Sequence, residues 1–151
     1  MIDVTNRPLL FSLLASLNAE RPPLFGQMTV QHMVEHLAFV VSFSNGTRLE
    51  KLYFPAEKAA LMKAALLGTD REMTVGFKTP LLGDEPPPLA FTDLPTAIGQ
   101  LETELAQFDQ YFAQNRDAQP MHPLLGLLNE DEWQLFHNKH FTHHFKQFGL
   151  V

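Results

Sequence analysis

The residues of this chain best suited to chemistry are its histidines. There are seven, and four of them fall close together near the C-terminus: His137, His140, His143 and His144. A neutral imidazole can relay protons or give a lone pair to a metal, and spacing decides which role is open to it. At about 100° per residue, His140 and His144 project within about 40° of one another and one turn apart, so both rings can reach a single ion. His137 projects close to His144, and Trp133, Phe141 and Phe148 flank the same face. Lys139, Thr142 and Lys146 project the other way, and His143 falls at the edge of the stripe. Burying two or three imidazoles on an apolar stripe is costly unless their nitrogens find partners, and a metal is the most economical common partner.

A divalent ion needs a third protein ligand from another element. His32 and His36 form a second pair four residues apart. His36 projects with Met33, Val40 and Phe43 toward a buried side, whereas His32 projects toward a polar edge with Glu35. The expected ligand set of a mononuclear site is therefore His36, His140 and His144. Three neutral imidazoles leave a coordination position open, the arrangement of a catalytic rather than a closed structural site. The chain has no cysteine. The ligands are thus nitrogen and oxygen, and a borderline ion such as zinc or nickel suits them better than magnesium or calcium. His122, in the run His122-Pro-Leu-Leu-Gly, reads as a solvent-exposed loop residue, with a role beside the site left open. A bundle whose histidines are merely hydrogen-bonded predicts no metal, and a non-catalytic metal-binding module predicts metal without an exchangeable ligand.

These side chains need elements to hold them. A first helix is expected from about Arg7 to Ala19, ahead of Pro22 and Pro23, because a residue before proline is pushed out of helical geometry. A second starts at the cap Thr29 and runs to Asn45, with Gly46 as its stop. A shorter, alanine-rich helix spans Pro55 to Leu67 and is expected outside the main bundle. Residues 69 to 92 contain Gly76, Pro80, Gly83, Pro86, Pro87 and Pro88, a density that excludes regular structure and suggests a cover over one end of the molecule. The stripe Ile98, Leu101, Leu105, Phe108 and Phe112 marks a helix from Asp93 or Leu94 to Asn115. Asn129 with Glu132 three places on makes a capping-box start for a last helix to Gln147. No strand pattern is evident. The expected fold is all-α: four long helices, one extra short helix and a long proline-rich loop, in a single domain over residues 1–151.

Composition narrows the function further. The 151 residues carry a formal charge of −6, with 45% hydrophobic residues including thirteen Phe. The scattered Lys and Arg lack the basic footprint that nucleic-acid binding requires. No apolar run approaches the ~18 residues of a membrane span. The run Leu9–Leu17 reads as an amphipathic helix rather than a signal-peptide core, so a cytoplasmic location is expected.

Two stretches carry a resemblance. Phe25-Gly-Gln-Met-Thr-Val-Gln-His-Met-Val-Glu-His36-Leu37 is one. The other is His122-Pro-Leu-Leu-Gly followed by Glu132-Trp133 through His140-Phe-Thr-His-His144-Phe-Lys-Gln147-Phe-Gly149. Over nearly its full length the chain resembles the DinB-like superfamily of metal-binding four-helix bundles, in a branch of bacterial proteins without an assigned reaction. The resemblance implies an up-down-down-up bundle with one histidine from the second helix and an i, i+4 pair from the last, which map onto His36, His140 and His144. Gln147 matches the pattern too, and is expected to orient a ligand or a bound water. Relatives in that superfamily include thiol S-transferases that use bacillithiol or glutathione, and mycothiol-dependent isomerases and hydrolases. By analogy, a metal-dependent transferase or hydrolase acting on a small electrophile is expected, with a low-molecular-weight thiol as possible cosubstrate and His122, His137 and Gln147 as candidate catalytic or orienting residues. The resemblance also implies a homodimer.

Overall fold

Side-chain caps set where the site-bearing helices begin. Thr29 Oγ1 accepts from the His32 amide, and the His32 ring nitrogen Nδ1 accepts from the Thr29 amide in return. Asp93 Oδ1 accepts from the Thr96 amide. Asn129 and Glu132 close the expected capping box. Each cap satisfies donors that a helix start leaves free. A computed structural model of the chain describes all 151 residues. It is mostly helical: α1 (Arg7–Ala15), α2 (Val30–Val41), α3 (Ala56–Leu67), α4 (Leu94–Gln114) and α5 (Glu130–Gln147). Between α4 and α5, β1 (Met121–His122) and β2 (Gly126–Leu127) form a two-stranded antiparallel pair. No helix is long and apolar enough to cross a membrane.

α2 runs against α4 along much of its length and touches α5, while α3 packs on α5 and β2. The core between them is Met33, Val34 and Leu37 from α2, Leu101, Leu105 and Phe112 from α4, and Trp133, Phe141 and Phe145 from α5, all essentially sealed from solvent. α3 buries only Ala59, which fits its expected peripheral place.

Several expectations need correction. α1 ends at Ala15 rather than Ala19, and α2 at Val41 rather than Asn45. In both places serine hydroxyls draw off the carbonyls that would continue the helix: Ser16 Oγ donates to Leu13 O, Ser42 Oγ to Phe39 O and Ser44 Oγ to Val41 O. Such side-chain bonds compete with the helical ladder. The strand pair was not expected, because two residues are too few to show a period of two. The polar side assigned to α5 is wrong at two positions, since Lys139 and Thr142 are each only 8% exposed. The N-terminal arm covers that side, with the Ile2 amide donating to Thr142 Oγ1 and the Val4 amide to Asn138 Oδ1. Lys139 Nζ donates to the carbonyls of Thr69 and Arg71, a way to bury an ammonium without a counter-ion.

Lys139 thereby pins the start of the 69–92 segment, which carries neither helix nor strand. Its far end is held by Glu35 on α2, whose carboxylate accepts from the amides of Ala90 and Phe91 and from Gln31 Nε2. Burial works to raise the Glu35 pKa, but these hydrogen bonds outweigh it and the carboxyl is held below its usual value. Two anchors, one on α5 and one on α2, thus stretch the segment across the gap between the histidine-bearing helices.

Candidate metal centre

His36 comes from the middle of α2, and His140 and His144 from consecutive turns of α5. Their Nε2 atoms meet. His36 Nε2 lies 3.0 Å and His144 Nε2 3.1 Å from His140 Nε2, and the three ligand atoms all lie within 4.8 Å of one another. The rings form a near-equilateral triangle with centroid separations of 4.9, 4.8 and 4.7 Å. Imidazole nitrogens bound to one ion at about 2.0–2.1 Å stand roughly 2.8–3.4 Å apart at angles between about 90° and 110°. The group could hold a metal ion.

Proton bookkeeping supports the fit. Gln147 Nε2 donates to Phe25 O at 2.9 Å, which turns Gln147 Oε1 toward His144 Nδ1, also at 2.9 Å. His144 Nδ1 must therefore carry the proton, leaving the Nε2 lone pair to point at the cluster. One proton on His140 Nε2 cannot serve both His36 and His144, so hydrogen bonds leave the cluster unsatisfied. His140 Nδ1 is buried without any partner. Gly26, at φ +76°, lets this chain of bonds close, because a Cβ there would stand 2.9 Å from Gln147 Nε2; it also adopts a backbone conformation that favours glycine.

Burial depresses all three basicities. The His36 pKa falls to about 4 through burial, with a smaller push from His143. His140 and His144 lie well below 6.5 for the same first reason, with repulsion between the charged forms of the three rings adding to it. The cluster therefore presents neutral imidazoles at neutral pH, the form that binds metal.

A cavity of about 370 Å³ opens beside the cluster and is lined by His36, His140 and His144. The 69–92 segment supplies one wall, including Arg71, Met73, Phe77 and Leu81; α2, the turn after it and α3 supply others through Phe39, Phe43, Met62 and Leu66. The expected cover over one end of the molecule is thus a wall of this chamber.

The other histidines separate clearly. His122 lines the cavity and is buried at 5% exposure, not solvent-exposed as the loop reading expected; it folds back onto the amides of its own turn. His137 is fully buried but does not line the cavity. Ser44 Oγ already donates to Val41 O, so it accepts from His137 Nε2–H at 2.9 Å, and the ring stacks on Trp133. His32 is spent on capping α2. His143 lines the cavity and packs against His144 and Phe25. Burial lowers its pKa, against the opposing pull of Met73 and Glu72. Sequence reasoning set His143 aside and missed Phe136, whose ring stacks on His140 with centroids 5.4 Å apart. Phe136 precedes His140 by four residues, and the same i, i+4 rule that found the ligand pair identifies it.

A family model described as "Protein of unknown function (DUF1569)" matches residues 11–149. No curated protein and no solved structure matches the chain.

Proposed function

We infer, for a chain that belongs to the DUF1569 family, that His36, His140 and His144 coordinate one divalent ion, zinc or nickel, with a position open to the cavity. The meeting of three Nε2 atoms at 3.0 and 3.1 Å, which no arrangement of protons satisfies, carries this reading. The facing placement of α2 and α5 across the site supports the DinB-like, up-down-down-up bundle as its scaffold. When bound, such an ion supplies Lewis-acid activation of a water or a low-molecular-weight thiol. The reaction class is a transferase or hydrolase acting on a small electrophile. Because the chain has no cysteine, any sulfur nucleophile must be recruited as a small thiol.

The chain's own residues define the rest. Gln147 fixes the His144 tautomer, and Phe136 holds the His140 ring by stacking. The 69–92 wall limits water around the open position, which strengthens electrostatic interactions inside the chamber. The chamber favours a catalytic site over a non-catalytic metal module, which has no use for enclosed space next to an exchangeable ligand position.

Cobalt-substituted protein titrated with bacillithiol, mycothiol and glutathione tests the reaction class. A thiolate-to-metal absorption band with one of them supports the thiol route. Absence of any band, together with neither thiol consumption nor hydrolysis of generic electrophiles, contradicts the catalytic reading. Gln147→Leu should retain the fold and weaken metal affinity about 10- to 100-fold, the usual consequence of removing the hydrogen bond behind a ligating imidazole. Competition with a chromogenic chelator measures it, and an unchanged affinity would exclude the orienting role of Gln147.

A further inference from the structure

We propose that the cavity takes an apolar-bodied molecule carrying one neutral acceptor oxygen, of the ketone or ester carbonyl class, and that His122 Nε2–H is the donor that holds this oxygen. The assignment of a reacting end to the three-histidine cluster rests on the metal reading above; the role of His122 does not.

His122 Nδ1 accepts from the amides of Leu124 at 3.1 Å and Leu125 at 3.2 Å. Both bonds need the Nδ1 lone pair, so the proton of the neutral ring sits on Nε2. The buried polar side-chain atoms left without a partner are Arg7 Nη1, His137 Nδ1 and His140 Nδ1. His122 Nε2 has no protein partner either, yet it is not sealed off. Its ring lines the cavity, and with Nδ1 turned to its own amides, Nε2 is the ring nitrogen left to face it.

The ring is also held in place. Its centroid lies 4.4 Å from that of Phe136 and 5.2 Å from that of Trp133. The turn that carries it is pinned from outside, with Tyr53 N donating to Pro123 O and Trp133 Nε1 to Pro120 O. A fixed N–H donor in a chamber whose lining is mainly apolar is how small-molecule sites orient a ligand. Burial takes the His122 pKa down to about 3, so the ring stays a neutral donor and pairs with a neutral acceptor rather than acting as an acid.

Position separates this anchor from the metal cluster. Phe136 lies between them, edge-on to His122 and stacked on His140. A ligand held at His122 therefore lays its body across Phe136 and the apolar wall of Phe39, Phe43, Met62 and Leu66. Its other end arrives at the three Nε2 atoms. At about 370 Å³ the chamber falls at the small end of the range for small-molecule sites.

The test is calorimetric titration of the metal-loaded full chain with butylbenzene and with benzylacetone, which has the same body plus one carbonyl. The ketone should bind about tenfold more tightly, the effect of one added neutral hydrogen bond in an enclosed site. His122→Asn keeps an acceptor for the Leu124 and Leu125 amides but withdraws the donor from the cavity. It should bring the ketone down to the affinity of the hydrocarbon and leave the hydrocarbon unchanged. If that variant fails to fold, proton NMR of the His122 imidazole N–H in the unmodified protein decides, with a shift expected on adding ketone and none on adding hydrocarbon. Equal affinity for the two probes, or an undiminished preference in folded His122→Asn, overturns the proposal. Metal content is measured on the same samples. A His122-dependent preference in protein that binds no metal would refute the metal reading alone; bound metal without the preference would refute this one alone.

Discussion

Metal-free protein should lose several kcal/mol of folding stability between pH 6.5 and pH 5, well above the range where carboxylates titrate. Burial lowers the pKa of six histidines, four of them buried outright: His36 falls to about 4, His122 and His137 to about 3, His140 and His144 well below 6.5, and His143 is lowered too. Burial is the first cause in every case. Above pH 6.5 these rings are neutral in both folded and unfolded chains, and they contribute nothing to the pH dependence. Below it the unfolded rings take up protons while the folded ones do not, so stability falls with pH until the folded values are reached. At pH 5 each ring with a folded pKa of 4 or less costs about 2 kcal/mol. The three with stated values sum to about 6 kcal/mol, against a typical total of 5–15 kcal/mol. His140 and His144 act in the same direction. Urea denaturation of chelator-treated protein at pH 7 and pH 5 measures this, and equal midpoints would contradict the neutral, buried state of these rings.

The second large effect is stabilisation by metal. A ligand that binds only the folded chain adds about 4 kcal/mol when present at a thousand times its dissociation constant, which for a chain of this length raises Tm by roughly 8–16 °C. Zinc- or nickel-loaded protein at pH 8 should therefore melt that much above the chelated form. His140→Ala removes the nitrogen that both other ligands face, and should abolish the gain. His143→Ala should keep it, since His143 lies outside the triangle of ligand atoms. Coincident melting of loaded and chelated protein would mean that the ion is not coupled to the fold.

Much of this was legible in the sequence because helices advertise themselves locally. Thr29, Asp93 and Asn129 marked the starts of α2, α4 and α5 to within a residue. The i, i+4 spacing of His140 and His144, with His36 on the buried face of α2, picked out the three side chains that meet. What failed was what depends on distant chain. Nothing in α5 itself shows that the N-terminal arm will cover Thr142, or that Lys139 will find two carbonyls in the segment after α3. His137 and His140 share the apolar stripe, yet only contact with Ser44 shows that one is held in the core while the other joins the cluster. His122 looked exposed because its partners are the amides of its own turn, a bond that periodicity does not reveal.

X-ray absorption at the metal edge, on protein made without a histidine tag and loaded with zinc or nickel, tests the central claim most directly. The account predicts about one ion per chain, with three imidazole nitrogens at about 2.0–2.1 Å and imidazole scattering lost or reduced in His144→Ala. Failure to retain a stoichiometric ion, or a coordination shell without histidine, would contradict it.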